Sequence, residues 1–248
     1  MSENLVRVER YGGIAVVVLS RPEKRNAMTP AMLEQVLMAI PPADEIEGLV
    51  LAGDGPVFCG GFDLKMCHER PGTLEALLRG LARVIAELDG RDHPVVVAAQ
   101  GAAIAGGAAL LGGADVAVGD RAGQYGYPVV RLGLSPAVSA PYLRLLVGDG
   151  HVRERLLDPS TVSGEEARRI GLIHELCDIP EDCGPRALRV CKMLAGKPRH
   201  AFAATKRLLR ELGGAGRAAR AGLEASLATA DTDECRAALA ALFGAARA

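Results

Sequence analysis

The sequence predicts an α/β protein that ends in an all-helical region. Runs rich in Val, Leu and Ala at 48–52, 95–99 and 115–118 are typical of buried strands, and segments of helical spacing separate them. Strand, helix and strand in succession favour a parallel sheet with right-handed crossovers. From about Gly184 onward only helical patterns follow.

The first forty residues carry local signals for a β-hairpin and a helix. Two β-rich runs, 5–10 and 14–20, flank Gly12-Gly13, a dipeptide that supplies the positive φ angles of a tight turn. Thr29-Pro30 places an N-cap before a proline at the first helical position, and apolar residues at helical spacing follow. We therefore expect a hairpin followed by a helix.

Two glycine-rich segments follow predicted strands. The first, 53–61, is predicted to be a loop, and a helix over about 73–88 comes after it. The second begins at Gly101 and is predicted to lead directly from a strand into a buried helix. It lies in an uncharged run, 94–114, that is long enough in principle to span a bilayer. The glycines of this run favour a strand, a turn and a buried helix instead.

The later part of the chain divides near residue 196. Ser163-Gly164-Glu165-Glu166 is a capping box, and it predicts a short helix that stops at Gly171. We expect a core of residues 1–195 and a helical region of residues 196–248, because turn-forming residues interrupt the pattern at the boundary.

The composition argues against several classes of protein. The 248 residues carry 29 basic and 30 acidic side chains, so no basic excess supports a nucleic-acid partner. Six cysteines without C-x-x-C spacing, and a start without the features of a signal peptide, predict reduced thiols and a cytoplasmic protein. Scattered histidines, and the lack of H-E-x-x-H, G-x-S-x-G and Walker patterns, support neither a metal site nor a serine nucleophile.

Three separated motifs resemble those of the enoyl-CoA hydratase/isomerase (crotonase) superfamily, in order and in spacing. They are Arg-Pro-Glu-Lys-Arg-Asn-Ala (21–27), Phe-Cys-Gly-Gly-Phe-Asp-Leu (58–64) and Gln-Gly-Ala-Ala-Ile-Ala-Gly-Gly (100–107). Segments 131–136 and 167–172 continue the resemblance, which covers nearly the whole chain.

This resemblance implies a crotonase-like spiral of ββα turns with a C-terminal helical region for trimerisation, and an acyl-CoA thioester as ligand. Coenzyme A would enter as part of the substrate, with no permanently bound cofactor and no metal. A homotrimer or homohexamer is implied, without a nucleic-acid or membrane partner. The basic side chains between 197 and 220 would then form a solvated helix face or contact CoA phosphates across a subunit interface.

The resemblance also assigns the site. The backbone N–H groups of Phe62 and Gly106 would form an oxyanion hole, since preorganised donors stabilise the charge that develops on a thioester carbonyl oxygen. Contacts with CoA would fall on two short segments. Their residues are Lys24, Arg25, Ala27, Phe62, Asp63, Leu64 and Lys65.

The chain departs from the hydratases of this superfamily at both catalytic glutamates. Ala109 and Val129 stand at these positions, and neither side chain transfers a proton, so ordinary hydration of an enoyl-CoA is not expected. Tyr127 and Ser135 place hydroxyl groups close by in sequence and are the candidate catalytic side chains.

Four other polar residues lie near these motifs, and three of them are expected to have structural roles. Asp115 is expected to cap or pair at a strand start, Arg131 to join an ion pair, and Tyr125 to lie in the core. His68 follows the predicted oxyanion loop, in the region from which a dehalogenase branch of the superfamily takes a catalytic histidine.

Two functions remain open at this point. The first is an enzyme that acts through an enolate, by decarboxylation, C–C bond cleavage or hydration with unusual groups. The second is a non-catalytic acyl-CoA binding protein that retains the fold. An unrelated α/β scaffold without a CoA site is a third interpretation.

Overall fold

Nine strands lie among residues 4–244, which are the residues that the computed structural model of the protein describes. They are β1 (Val6–Tyr11), β2 (Ile14–Leu19), β3 (Gly48–Gly53), β4 (Val95–Ala98), β5 (Ala102–Ile104), β6 (Val116–Asp120), β7 (Gln124–Gly126), β8 (Thr161–Ser163) and β9 (Glu175–Cys177). Six of them form one sheet in the order β1-β2-β3-β4-β6-β9. The β1–β2 hairpin is antiparallel and the other neighbours are parallel, which confirms both expectations.

Ten α-helices lie in the same described part of the chain. They are α1 (Pro30–Ala39), α2 (Leu64–Glu69), α3 (Thr73–Asp89), α4 (Gly106–Leu111), α5 (Ala140–Leu157), α6 (Gly164–Arg169), α7 (Cys183–Ala195), α8 (Arg199–Gly213), α9 (Ala215–Ala230) and α10 (Asp233–Gly244). The Thr29 side chain caps α1 and the Ser163 side chain caps α6, as the sequence predicts. Helices α7 to α10 confirm the all-helical end of the chain.

The central sheet is buried on both faces, which explains why its strands are almost continuously apolar. Alternate side chains of a strand point to opposite faces. Val17 and Leu51 belong to the core that includes α1 and α3. Val16 and Val50 belong to a second core with Val190 of α7. The sheet therefore holds the ends of its strands on a rigid base.

A second sheet of three strands, in the order β5-β7-β8, lies where the sequence predicted none. The chain does not pass directly from β4 into a helix, because β5 pairs with β7 before α4 begins. At the end of this ladder the N–H of Ala105 donates to the carbonyl of Gly126 at 2.8 Å. That bond fixes the backbone at the entry to α4.

The C-terminal helices fold back onto the core. Helix α9 packs against α3 and α5, while α10 packs against α2 and a 3₁₀ turn at Val130–Leu132. No helix of the described residues has the length and apolar character needed to cross a membrane. The uncharged run 94–114 instead contains β4, β5 and α4.

Candidate active site

The glycine-rich loop before α2 runs beside β5 and is fixed to it by backbone hydrogen bonds. The N–H of Cys59 donates to Ala102 at 3.1 Å, and the N–H of Ile104 donates to Cys59 at 3.0 Å. Gly61 has a φ of 100°, and a Cβ there would lie 3.1 Å from the carbonyl oxygen of Ile104. Glycine is thus required where the loop turns toward β5.

Met28 bridges the residues on either side of Phe62. Its N–H donates to the carbonyl of Gly61 at 2.7 Å, and its carbonyl accepts from the N–H of Asp63 at 2.9 Å. The N–H of Phe62 itself donates to no protein group among residues 4–244. Its neighbours hold it in place and leave its hydrogen-bonding capacity free.

Gly106 begins α4, and its N–H likewise has no acceptor in the described part of the protein. The preceding residue, Ala105, has φ 51° and ψ −112°, a conformation that an alanine rarely adopts. A Cβ on Gly106 would lie 3.0 Å from Cε1 of Phe62 and 2.5 Å from Cε of Met28. The two residues with free N–H groups are therefore in contact across the site.

A cavity of about 370 Å³, here called the acyl pocket, opens beside these two residues. It brings together both residues with free N–H groups, both residues at the glutamate positions and both predicted hydroxyls. They are Phe62, Gly106, Ala109, Val129, Tyr127 and Ser135. Much of the remaining lining is aliphatic. Leu242 of α10 also lines the pocket, a contribution from the end of the chain that no sequence motif indicated.

The hydroxyl groups of the pocket differ in their surroundings. Tyr127 is 2% exposed, and burial raises its pKa above the ordinary value, an effect that the neighbouring Ser139 opposes. The backbone of Ser135 is tied to α9, since its N–H donates to Thr229 Oγ1 at 2.9 Å and its carbonyl accepts from Ser226 at 2.8 Å. The Ser135 hydroxyl has no hydrogen-bond partner among residues 4–244.

The acyl pocket contains no carboxylate in its described lining, and its charged residues there are Arg25 and Arg131. The expectation that Arg131 joins an ion pair is wrong. Arg131 is exposed, and no acidic side chain of the described residues lies within ion-pair distance of its guanidinium.

A second cavity of about 560 Å³, here called the groove, adjoins the acyl pocket. It is lined by all seven residues that the sequence assigned to CoA: Lys24, Arg25, Ala27, Phe62, Asp63, Leu64 and Lys65. The two cavities share Arg25, Gly60, Phe62 and Leu64. The two cavities therefore adjoin at Phe62, with a charged and predominantly basic lining in the groove and a mostly apolar lining in the acyl pocket.

The groove wall depends on side-chain contacts that sequence reasoning missed. The Asn26 side chain is fully buried, donates to the carbonyls of Asp54 and Val57 at 2.9 and 2.8 Å, and accepts from the N–H of Arg21. It thereby holds Arg25 and itself in the left-handed region, with φ of 53° and 51°. The sequence offered one signal for these contacts, the asparagine itself, because its short amide side chain commonly bonds to backbone groups in turns.

The Asp63 carboxylate in the groove wall already has partners. One oxygen accepts from the Met66 N–H at 3.1 Å as the N-cap of α2, and the other pairs with Arg21 at 2.8 Å. Burial would raise the pKa of Asp63, but the hydrogen bonds from Arg21 and the Met66 N–H, together with the positive charges of Arg21 and Lys24, outweigh it and hold the pKa below its ordinary value. These two bonds hold Asp63, and with it the backbone next to Phe62, in place.

Three of the other polar residues lie outside the acyl pocket. Tyr125 is fully buried, and its hydroxyl donates to the carbonyl of Ala99 at 2.9 Å, as expected of a core aromatic. Asp115 accepts from the Val95 N–H at 2.7 Å at the strand start, which confirms its structural interpretation. His68 is exposed and stacks on Phe243, with ring centroids 5.4 Å apart.

The basic face of α8 is mostly engaged with the core. Lys206 is 8% exposed and donates to Asp115 at 2.6 Å, while Arg207 and Arg210 bind Asp92. The expectation of a solvated face or of phosphate contacts is therefore wrong for Lys206. Its ammonium group is buried because it pairs with Asp115, a carboxylate distant in sequence.

These features define a protein with an α/β core, a free pair of backbone donors and a two-part cavity. A sequence model described as enoyl-CoA hydratase/isomerase matches residues 9–237, so the chain belongs to this family. It is 29% identical over 188 residues to the short-chain-enoyl-CoA hydratase of Clostridium acetobutylicum, covering 73% of this chain and 72% of that protein.

Two solved structures show the same fold. An enoyl-CoA hydratase/isomerase from Xanthobacter autotrophicus superposes with a TM-score of 0.86 at 25% identity, covering 99% of this chain and 94% of that one. An enoyl-CoA isomerase from Mycobacterium tuberculosis has a TM-score of 0.81 at 34% identity, with 91% and 98% covered. The crotonase-like fold expected from the sequence is confirmed.

Proposed function

We propose that this protein binds an acyl-CoA thioester and stabilises the enolate that forms when negative charge develops on the thioester carbonyl oxygen. The N–H groups of Phe62 and Gly106 would receive that oxygen. The observation that carries the proposal is that neither N–H donates to any group among residues 4–244, while both residues line the acyl pocket, which adjoins the groove at Phe62. Such donors supply roughly 3 kcal/mol each to a developing oxyanion.

The groove suits the rest of the thioester. Lys24, Arg25 and Lys65 supply positive charge for phosphate groups at its exposed end. Phe62 and Leu64 line both cavities, where an uncharged chain would pass inward. Coenzyme A is then part of the substrate. Asp63 would support CoA binding indirectly, because its bond with Arg21 holds the groove wall in place.

The side chains at the glutamate positions argue against ordinary hydration. Ala109 and Val129 can neither activate water nor move a proton. A reaction that forms the enolate without a base fits such a pocket, and decarboxylation is one. The bond between the α-carbon and the carboxylate breaks, carbon dioxide leaves, and the electron pair becomes the enolate.

The α-carbon then needs one proton. A tyrosine hydroxyl is neutral near pH 7, and burial raises the pKa of Tyr127 further, so this hydroxyl is a weak acid that keeps its proton until a strongly basic enolate carbon takes it. Water would replace the proton afterwards. Ser135 and Ser139 also line this cavity, but the Ser139 hydroxyl already donates to the carbonyl of Pro136 at 3.0 Å. Replacing Tyr127 by Phe should slow protonation and leave binding of the thioester largely intact.

A comparison of thioester classes tests the proposal. Crotonyl-CoA reports hydration, and malonyl-CoA and methylmalonyl-CoA report decarboxylation, each followed by chromatography of the CoA products. We expect turnover of the malonyl type and little hydration. Efficient hydration of crotonyl-CoA would contradict the decarboxylase assignment, and absence of binding by every thioester would contradict the whole proposal.

The alternative is a non-catalytic acyl-CoA binding protein, favoured by the same two apolar positions, Ala109 and Val129. Calorimetry distinguishes the two. Tight binding of acyl-CoA without any product from the thioesters above would favour the binding protein.

Assembly and location also belong to this proposal. We propose a homotrimer or homohexamer that forms through the helical region and acts in the cytoplasm. Exposed leucines on α8, Leu208, Leu209 and Leu212, provide an apolar surface for such assembly. Sedimentation of the purified protein measures its mass in solution directly.

A further inference from the structure

Arg131 is a cation at the acyl pocket without a counter-ion. It lines this pocket but not the groove, whereas Arg25 lines both cavities. Of the other arginines of the groove wall, Arg21 and Arg70, the first is neutralised by Asp63 at 2.8 Å. Among residues 4–244 no carboxylate pairs with Arg131, and none lines the pocket. The charge of Arg131 therefore remains available to a ligand that occupies the acyl side.

The position of Arg131 is fixed by its backbone. It lies in the 3₁₀ turn after Val129, where the N–H of Gly133 donates to the carbonyl of Val130 at 2.9 Å. Gly133 has a φ of 66°, and a Cβ there would lie 3.0 Å from the backbone nitrogen of Cys235 in α10. The turn is thus packed under α10, and this packing fixes the backbone that carries the Arg131 side chain.

We infer that the acyl group of the substrate carries a free carboxylate at the end remote from the thioester, and that Arg131 binds it. This inference rests on the proposed function, because it assumes that the thioester carbonyl lies at Phe62 and Gly106. A guanidinium group binds a carboxylate through two parallel hydrogen bonds. Arg131 is exposed at a pocket whose lining also includes Leu132 and Leu134, so the pair would form where an apolar cavity meets solvent.

The chemistry of the two cavities separates the anions of such a ligand. The phosphates of CoA lie with Lys24, Arg25 and Lys65 in the groove, and the acyl carboxylate lies with Arg131 in the pocket. The specificity of the protein is then for dicarboxylic acids joined to CoA through one end.

Calorimetry with ligand pairs of equal chain length tests this inference. The pairs are glutaryl-CoA with pentanoyl-CoA, and succinyl-CoA with butanoyl-CoA, none of which carries the carboxylate on the α-carbon that the proposed decarboxylation removes. We expect the wild-type protein to bind the dicarboxylic member of each pair about tenfold more tightly, a value between those of exposed and buried ion pairs. The preference should shrink at high salt, because ions screen the exposed part of the pair.

Three variants sharpen the test. Arg131→Leu should reduce the affinity ratio within each pair to near one, and Arg131→Lys should retain part of it. Arg189→Leu is the matched control, because Arg189 is exposed on α7, away from both cavities, and also has no ion-pair partner among the described residues. Circular dichroism establishes that each variant is folded, and Arg131→Gln serves if the leucine variant is not.

The outcomes separate this inference from the proposed function. A wild-type protein that binds both members of each pair equally overturns the role of Arg131 and leaves acyl-CoA binding intact. Equal losses for both members in Arg131→Leu also overturn it, because they place Arg131 on CoA or on the fold. If no thioester binds at all, the proposed function fails and this inference fails with it.

Discussion

The acyl pocket and the contact between α8 and the core handle charge in opposite ways. Beneath α8, Lys206 meets Asp115 at 2.6 Å, and Arg210 meets Asp92 at 3.1 Å. In the acyl pocket the described lining holds no carboxylate, and Arg131 has no ion-pair partner among residues 4–244. Lys206 is buried, whereas Arg131 is exposed at the pocket, so the paired charges lie in the interior and the unpaired charge faces solvent and the cavity.

This contrast separates stability from binding. Charges that face each other inside a protein offset the cost of their own desolvation and fix one element against another. Donors and charges that face an empty cavity do not stabilise the fold in that way, and they remain for a ligand. The free N–H groups of Phe62 and Gly106 belong to the second kind. Four experiments would break or sharpen this distinction.

The largest effect is expected from placing carboxylates back into the pocket. The double variant Ala109→Glu/Val129→Glu should hydrate crotonyl-CoA about 10² to 10⁴ times faster than the wild type, because each group supplies acid or base catalysis. Rates from coupled absorbance assays provide the measurement, with each single variant as a control. A folded double variant that binds crotonyl-CoA without any gain would show that these positions do not face the reacting carbons.

The second effect is a loss of activity, expected when a side chain is added between the two backbone donors. Gly106→Ala puts a Cβ 3.0 Å from the Phe62 ring and 2.5 Å from Met28, which forces the donors apart. We expect kcat/KM for the thioester that is turned over to fall by about 10².

The infrared stretch of a ¹³C-labelled thioester carbonyl tests the same variant without turnover. Two donors lower the frequency of the bound carbonyl, and Gly106→Ala should return it toward its value in water. Gly150→Ala is the control, since a Cβ there meets nothing within 4 Å. An unshifted carbonyl in the wild type would contradict the role of Phe62 and Gly106.

The third effect concerns stability. Lys206→Met leaves Asp115 without its ammonium partner, a loss that costs about 3–5 kcal/mol for a fully buried pair. Because Asp115 is 25% exposed and keeps the Val95 N–H, we expect the free energy of unfolding to fall by about 2 kcal/mol. Urea titration measures it. Arg207→Met, which removes an exposed partner of Asp92, should change the midpoint little, and an equal change in both variants would argue against a buried junction.

The smallest effect is a dependence of stability on pH. Burial lowers the pKa of His174 and of His93 from 6.5, so the unfolded chain takes up protons there more readily than the folded one. Stability should therefore be full above pH 6.5 and fall as the pH drops below it, by at most about 1.4 kcal/mol per pH unit for each histidine.

A substitution isolates the part that belongs to His174. Its Nδ1 accepts from the Ala117 N–H at 3.0 Å, and His174→Asn supplies an oxygen acceptor that does not titrate. Melting temperatures between pH 5 and pH 7.5 should then show a shallower slope than in the wild type. An unchanged slope would exclude His174 as its source, and His200→Gln in α8 controls for loss of an exposed histidine.

Local signals predicted most of the secondary structure. The hairpin, the Thr29 cap and the long amphipathic α3 follow from residues that touch their own neighbours in sequence. Strand β5 escaped prediction because three residues carry little periodicity and its partner strand β7 is distant in sequence, with Ala102 paired to Gln124. Helix α2 escaped for the same reason, since its six residues depend on the Asp63 cap and on packing against α10.

The candidate site divides in the same way. Its motifs located Phe62 and Gly106, and these residues meet in the structure. They could not show that Arg21 binds Asp63, that Arg131 lacks a partner or that Leu242 reaches the pocket. Such facts depend on chain segments brought together by the fold, whose contacts leave no mark at a fixed spacing.

The conformation of Ala105 has a consequence for how a donor is aimed. The peptide plane that joins Ala105 to Gly106 carries the Gly106 N–H, so the ψ of −112° sets the direction of that group. A methyl-bearing residue at φ 51° has fewer alternative orientations than glycine would have, at a strain of about 1–3 kcal/mol. The restricted backbone of Ala105 thus fixes the direction of the Gly106 N–H without using that group in a hydrogen bond.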